Sequence, residues 1–537
     1  MQQYLISLLI FTPLVAALLG VFIPAKSAPY FKVLTLLANI LQVLFLFLIF
    51  TSYESNGAIQ LIEKQSWITI NMGSLGILKA EYFVGLDGLN LPLVALSVVV
   101  LLIATISSWT IDKNVKGYFL LLLLLNGAII GSFTALDFLL FYLFFEFMLL
   151  PMFFLIAMWG GARREYASIK FFLYTLVGSI FILIVMIGLY LSVSDSSESR
   201  QLVHSFNMLN MADSTRFISN SILDPHNIWM IGPFPARYWA FLLLFFGFAI
   251  KLPMVPLHTW LPDAHVEAPT PISVILAALL LKIGGYGLLR IAFPIFPDAA
   301  IHFSWFVGLM GVISIIYGGL NALACKDLKR LIAYSSISHM GFVLLGLASL
   351  TTEGVAGSIY QMVSHGIISA MLFLIAGVLY DRTQDRTIGN YSGLSTKMQS
   401  YTVIVVVAFF GSMGLPGFSG FIAEIMVFLG AFKSNSANGL LHESLAVVAT
   451  LGLVLGAAYY LWTLQRMFFG PFHLKGGISE TSIFDLNKRE YLMLIPLAGA
   501  AIFFGIIPQP LMDIINPFAK HFSEFVINSG KSLTLNP

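Results

Sequence analysis

Six ionisable residues stand inside stretches that are otherwise apolar. Glu146 lies in FLLFYLFFEFMLLPMFF, with no second charge within a helical turn on either side. Lys251 lies in FAIKLPMVPLHTW, just before Pro253 and Pro256. Lys282 is equally isolated in ISVILAALLLKIGGYG, and Glu424 sits in LPGFSGFIAEIMVF, eight residues past Pro416. His339 (SSISHMG) and His365 (QMVSHGI) complete the set. Carboxylates, ammoniums and imidazoles are the groups that move protons. In hydrocarbon such groups are costly and as a rule functional. A lone carboxylate there needs a partner from another helix or it stays protonated. Snorkelling to the surface is an alternative for Lys251, but its span extends well beyond it on both sides. Two unit charges about 6 Å apart at an effective dielectric near 20 interact by roughly 3 kcal/mol. Moving one charge against 100 mV costs about 2.3 kcal/mol. A Glu146–Lys251 couple therefore has the right size to load or release a proton.

These residues need a membrane scaffold. Of the 537 residues, 58% are hydrophobic and 10% charged, where a soluble domain carries roughly 25% charged residues. The chain reads as an all-α polytopic membrane protein. Runs long enough to span a bilayer fall near 4–23, 30–50, 86–108, 118–133, 136–157, 169–192, 237–256, 267–291, 303–324, 331–349, 357–379, 400–430, 443–465 and 491–508, fourteen in all. The first run lacks a basic leader and is read as a retained span, not a signal peptide. Alternate loops divide the 28 Lys and Arg into 17 on one side and 9 on the other, with Lys251 and Lys282 inside spans. The richer side should be cytoplasmic. Both termini are then outside, and the expected location is a bacterial plasma (inner) membrane.

Two prolines interrupt spans at comparable places. FGFAIKLP ends at Pro253 and FFGSMGLP at Pro416. Each proline lacks the N–H owed to the carbonyl four residues back, and lipid offers that carbonyl nothing. The breaks suggest two five-span repeats, 118–291 and 303–466, flanked by an N-terminal unit 1–117 and a C-terminal unit 467–537. ASIKFFLYTLVGS and GSIYQMVSHGIIS align weakly at the second span of each. Five is odd, so the second repeat is inverted, the arrangement by which transporters build a site at mid-depth. The 193–235 connection should pack on the outer surface. The segment PLMDIINPFAKHFSEFVIN has apolar residues at helical spacing. It fits a helix along the membrane or against a neighbour, or a frayed tail.

A net charge of +2 gives no case for nucleic acid. The one cysteine, Cys325, cannot hold an iron–sulfur cluster. No dinucleotide-binding or phosphate-binding glycine motif is present.

FYLFFEFMLLPMFFLIAMWGG, FGFAIKLPMVPLHTWLPDAHVEAPTPISVILAALLLKIGGYGLLR and LKRLIAYSSISHMG resemble the antiporter-like membrane subunits of proton-pumping NADH:quinone oxidoreductase, respiratory complex I. The resemblance covers essentially the whole chain. EYFVGLDGLNLPLVALS and the carboxylate at Glu424 resemble the branch called M in bacteria and 4 in mitochondria. The resemblance implies a coupled pair at Glu146 and Lys251, a linking lysine at Lys282, central histidines at His339 and His365, and a terminal carboxylate at Glu424. It also implies two half-channels joined by this row, driven by quinone reduction elsewhere in the complex. FMN, iron–sulfur clusters and quinone are then expected on partner chains, with none on this one. Sister antiporter-like subunits on either side and membrane lipid are the expected partners. The 193–235 connection is longer than the family pattern suggests.

Two other readings use the same residues. A sodium/proton antiporter subunit would employ the same Glu and Lys, but Glu424 stands where those proteins usually carry lysine. A haem protein of cytochrome b type would use His339 and His365, but such pairs need two histidines on each of two helices.

Overall fold

The computed structural model describes residues 4–71, 73, 77–195, 203–227 and 229–535. Among them, twelve continuous helices are long and apolar enough to cross a membrane. They are α1 (Leu5–Phe22), α2 (Ala28–Ser52), α3 (Asn90–Thr110), α4 (Val115–Thr134), α5 (Phe138–Trp159) and α6 (Arg164–Ser192), then, after an interrupted segment, α9 (Thr270–Ile295), α10 (Ser304–Ala324), α11 (Leu328–Ala348), α12 (Thr352–Thr383), α15 (Glu443–Phe468) and α16 (Lys488–Ile506). The runs ending at Pro253 and Pro416 are the interrupted ones. The first forms α7 (Ala236–Lys251) and α8 (Trp260–Glu267), and the second α13 (Gln399–Ser412) and α14 (Ser419–Ala437).

Burial sorts these helices. α1, α2 and α6 leave Leu18, Phe22, Phe47, Leu173 and Ile184 exposed, as helices facing lipid or a neighbouring subunit do. α9 and α12 are buried throughout their central, membrane-length stretches. They and α11 carry Lys282, His365 and His339, so the charged row sits in the part of the bundle shielded on all sides.

An all-helical reading missed a small sheet. β1 (Gln60–Asn71) pairs antiparallel with β2 (Ile77–Leu86), and β3 (Val203–Ser205) joins β2 in parallel. β2 turns Ala80, Phe83 and Val84 inward. Glu63 of β1 accepts from the backbone N–H of Ile6 (2.8 Å) and Ser7 (3.1 Å), placing a carboxylate at the amino end of α1 where orphan donors and the helix dipole favour it. The 193–235 connection packs on its own chain through β3, Phe206, Met208, Met211 and Leu223. Residues 196–202 and 228 of that connection, Arg200 included, lie outside the described residues.

The C-terminal segment is a 27-residue helix, α17 (Gln509–Leu535), with Ile515, Phe518, Phe522 and Val526 buried. Among the occupants left open for its apolar face, the one observed is its own chain: it crosses α12 and the short helix Pro297–His302. Three arginines and a lysine assigned to loops are also tied down. Arg290 makes two 2.7 Å bonds to Asp87, and Arg237 pairs with Asp298 at 2.8 Å. Arg382 pairs with Glu490 at 2.8 Å. Lys329, placed in a loop by its sequence neighbours, is 2% exposed and bonds the Ala268 carbonyl at 2.9 Å.

Candidate functional site

The site begins at the first break. Pro253 frees the Ala249 carbonyl, and Met254 N–H takes it at 2.9 Å. The Ile250 carbonyl accepts from the indole of Trp260, also at 2.9 Å. Lys251 is therefore the last helical residue, with its chain direction lost just beyond it. Its Nζ lies 3.5 Å from the centre of the Phe145 ring and 3.4 Å from the Phe145 carbonyl. A cation over a ring face in a dry site is attracted by the ring's quadrupole. Glu146, the next residue on α5, acts on Lys251 electrostatically, yet no ion pair joins the two among the described residues. Its Oε1 is buried without a protein partner. The two residues act on each other electrostatically without a direct contact among the described residues.

α9 presses against this break. A Cβ on Gly284 would lie 2.6 Å from Leu252 N and 2.7 Å from the Phe248 carbonyl, so only glycine lets the helices approach this closely. Two residues before it, Lys282 is fully buried. Its Nζ bonds the Ala277 carbonyl at 2.6 Å and lies 2.7 Å from Nδ1 of His365. Residues Leu276–Leu280, one residue short of Lys282, form a π turn, a feature frequent at functional sites.

From His365 the row continues. The rings of His365 and His339 are 5.4 Å apart. Nδ1 of His339 lies 3.2 Å from Gln361 Nε2 and 3.6 Å from Oε1 of Glu424. A cavity of about 10 Å³ opens among His339, His365, Gln361, Ser364, Ser412 and Gly420, about the space of one water. Glu424 reaches the second break, where Gly414 has φ +67° and a Cβ would collide with the carboxylate. That break repeats the bond of the first. Leu415 N–H reaches the Phe410 carbonyl five residues back, as Met254 reaches Ala249. The structure thus brings Lys282, His365, His339 and Glu424 into one cluster and sets Glu146 and Lys251 beside the helix that carries Lys282.

Sequence reasoning missed several members. His265 of α8 is fully buried, stacks on Phe373 at 4.3 Å, and is electrostatically coupled to both Lys329 and Lys282. Lys329 also lies 3.4 Å from Ser273 Oγ, which bonds the His265 carbonyl. His265 and Lys329 extend the row toward the basic turn at Lys326–Arg330. Isolation in an apolar run was the signal used, and both residues sit among polar neighbours in sequence. Ser412, a polar partner of His339, and Tyr460, a partner of Ser412, are marked by no spacing rule.

The family described as NADH:quinone oxidoreductase/Mrp antiporter, TM, matches residues 135–450. The NADH-quinone oxidoreductase subunit M of Rickettsia bellii is 40% identical over 521 residues, covering 95% of this chain and 97% of that one. A chain of respiratory complex I from Thermus thermophilus superposes with a TM-score of 0.78 at 28% identity, over 97% of this chain and 99% of that chain. A chain of the Mrp complex from Dietzia superposes equally well, at 0.78, with 19% identity over 98% and 99% of the two chains. At that identity the likeness is one of fold.

Proposed function

From the premise that the chain belongs to the NADH:quinone oxidoreductase/Mrp antiporter family, as a membrane subunit of the M type of NADH-quinone oxidoreductase, we propose that its buried row carries protons across the membrane. Glu146 and Lys251 form the coupled pair, Lys282 links the halves, His365 and His339 are the centre, and Glu424 is the terminal carboxylate. The observation that carries the reading is the contact series Lys282–His365–His339–Glu424, whose four side chains are all buried. Each step is a proton exchange between neighbours whose charge is otherwise unbalanced.

The two interrupted helices supply the half-channels. Their breaks are alike in hydrogen bonding, which supports reading 118–291 and 303–466 as inverted repeats among fourteen spans. One repeat connects the cytoplasm to the centre and the other connects the centre to the outside, with His265 of the first and Lys329 of the second standing between the row and the basic turn. Both termini then lie outside a bacterial plasma membrane. The chain works as a non-redox subunit: NADH, FMN, iron–sulfur clusters and quinone are handled by partner chains, and sister subunits flank it. Quinone reduction on those partners drives the row.

Lys251→Ala and Glu146→Gln test this in the assembled complex. Each should abolish pumping and slow coupled quinone reduction while electron transfer to an artificial acceptor persists. Undiminished pumping in both would remove the roles assigned here. Sodium/proton exchange by the same residues is the second reading. Pumping that needs sodium and persists with proton backflow short-circuited would favour it.

A further inference from the structure

A second row leaves His339 and involves four side chains on three helices. His339 Nε2 lies 3.1 Å from Ser412 Oγ. Ser412 donates to the Tyr460 hydroxyl at 2.8 Å, Tyr460 to Ser335 Oγ at 3.0 Å, and Ser335 to the Ile332 carbonyl at 2.8 Å. All four are buried. With the Gln361 amide placed so that Nε2 faces His339, it donates to Nδ1, which assigns the imidazole hydrogen to Nε2. Every group in the row then donates in the same sense.

We propose that Tyr460 is a proton-relay residue, passing protons between His339 and the basic end of α11 through Ser412 and Ser335. This rests on the proton-carrying role of His339 set out above. The step is a concerted, reversible shift, and uptake from the basic end toward Glu424 is its reverse. A proton arrives at Nδ1 of His339 from the Glu424 side. The Nε2 hydrogen moves to Ser412 Oγ, the Ser412 hydrogen to the Tyr460 oxygen, the Tyr460 hydrogen to Ser335 Oγ, and the Ser335 hydrogen leaves to water. Each oxygen gains one proton and gives one up. His339 ends neutral in its other tautomer, one positive charge has moved, and nothing is oxidised. Ser335 lies one helical turn nearer Lys329 and Arg330 than His339 does, about 6 Å along the axis. The row also gives Ser412 a reason to stand where it does. It is the last residue of α13, at the lip of the second break, so a shift of the break would open or close the contact with His339.

A buried tyrosine needs a partner whatever its function. Tyr459 supplies the control: it is as buried as Tyr460 and packs against it with ring centres 4.5 Å apart, but makes none of these bonds.

The test uses the whole complex in proteoliposomes, reading proton pumping beside complex content and electron transfer to an artificial acceptor. Tyr460→Phe and Ser412→Ala should each lower pumping about a hundredfold. Ser412→Thr, which keeps the hydroxyl, should restore it, and Tyr459→Phe should leave it unchanged. If Tyr460→Phe pumps like the parent while Lys251→Ala does not, the relay is wrong and the role of the main row stands. If both variants pump, the role of the main row fails too. Should Tyr460→Phe fail to assemble, the Ser412 pair decides, and equal pumping by Ala and Thr at that position overturns the relay.

Discussion

Nζ of Lys282 lies 2.7 Å from Nδ1 of His365, and the two residues reach each other from the buried central stretches of their helices. An ammonium donates here to a neutral imidazole, or an amine accepts from Nδ1–H. Either way one proton sits between two bases, and the pair passes it on only when a neighbour's charge changes.

That contact makes His365 testable apart from Lys282. His365→Leu removes the one side-chain partner of the lysine among the described residues and leaves the Ala277 carbonyl. Pumping should fall about a hundredfold, within the range of general acid–base effects. His365→Gln, which can still accept, should fall less. Equal losses for Leu and Gln would show that hydrogen bonding to Lys282 is not what matters.

Gly414 should tolerate no side chain. Its φ of +67° costs a non-glycine residue about 1–2 kcal/mol, and a methyl there collides with the Glu424 carboxylate. Gly414→Ala should lower both the thermal midpoint of the complex and its pumping. A loss of stability with full pumping would mean that Glu424 can move without consequence.

The Arg290–Asp87 pair is structural, and its energetics differ from those of the row. Both residues are nearly inaccessible, and Asp87 also caps α3 through Leu89 and Asn90 N–H. Arg290→Leu strands a buried carboxylate and should cost about 3–5 kcal/mol, seen as a sharp fall in assembled complex. Adding Asp87→Asn removes the stranded charge and keeps the cap, so the double variant should recover most of the loss. Failure to recover would place the role of Arg290 elsewhere.

Much of this was legible in the sequence because the signals are one-dimensional. A charge at Lys251 followed by Pro253 reads as a broken helix. Glu146, Lys282, His339, His365 and Glu424 stand out by isolation, and the structure sets four of the six site residues in one cluster. The β1–β2 hairpin was lost because QLIEKQSWITIN alternates imperfectly between two stronger helical signals. Lys329 was misplaced because a lysine beside Arg330 looks like a loop, whereas its side chain turns inward to Ala268. His265 and Tyr460 gave no isolation signal. Their roles depend on which helices meet, and no periodicity within one helix encodes that.

The most direct measurement is proton translocation by the intact complex carrying Lys282→Ala, in sealed vesicles, against its electron transfer to an artificial acceptor. Pumping should vanish while the acceptor reaction and the complex content stay at parental levels, because the lysine joins the Lys251 side of the row to His365. Pumping at the parental rate would show that protons cross without passing the middle of the row, and the account would be wrong at its centre.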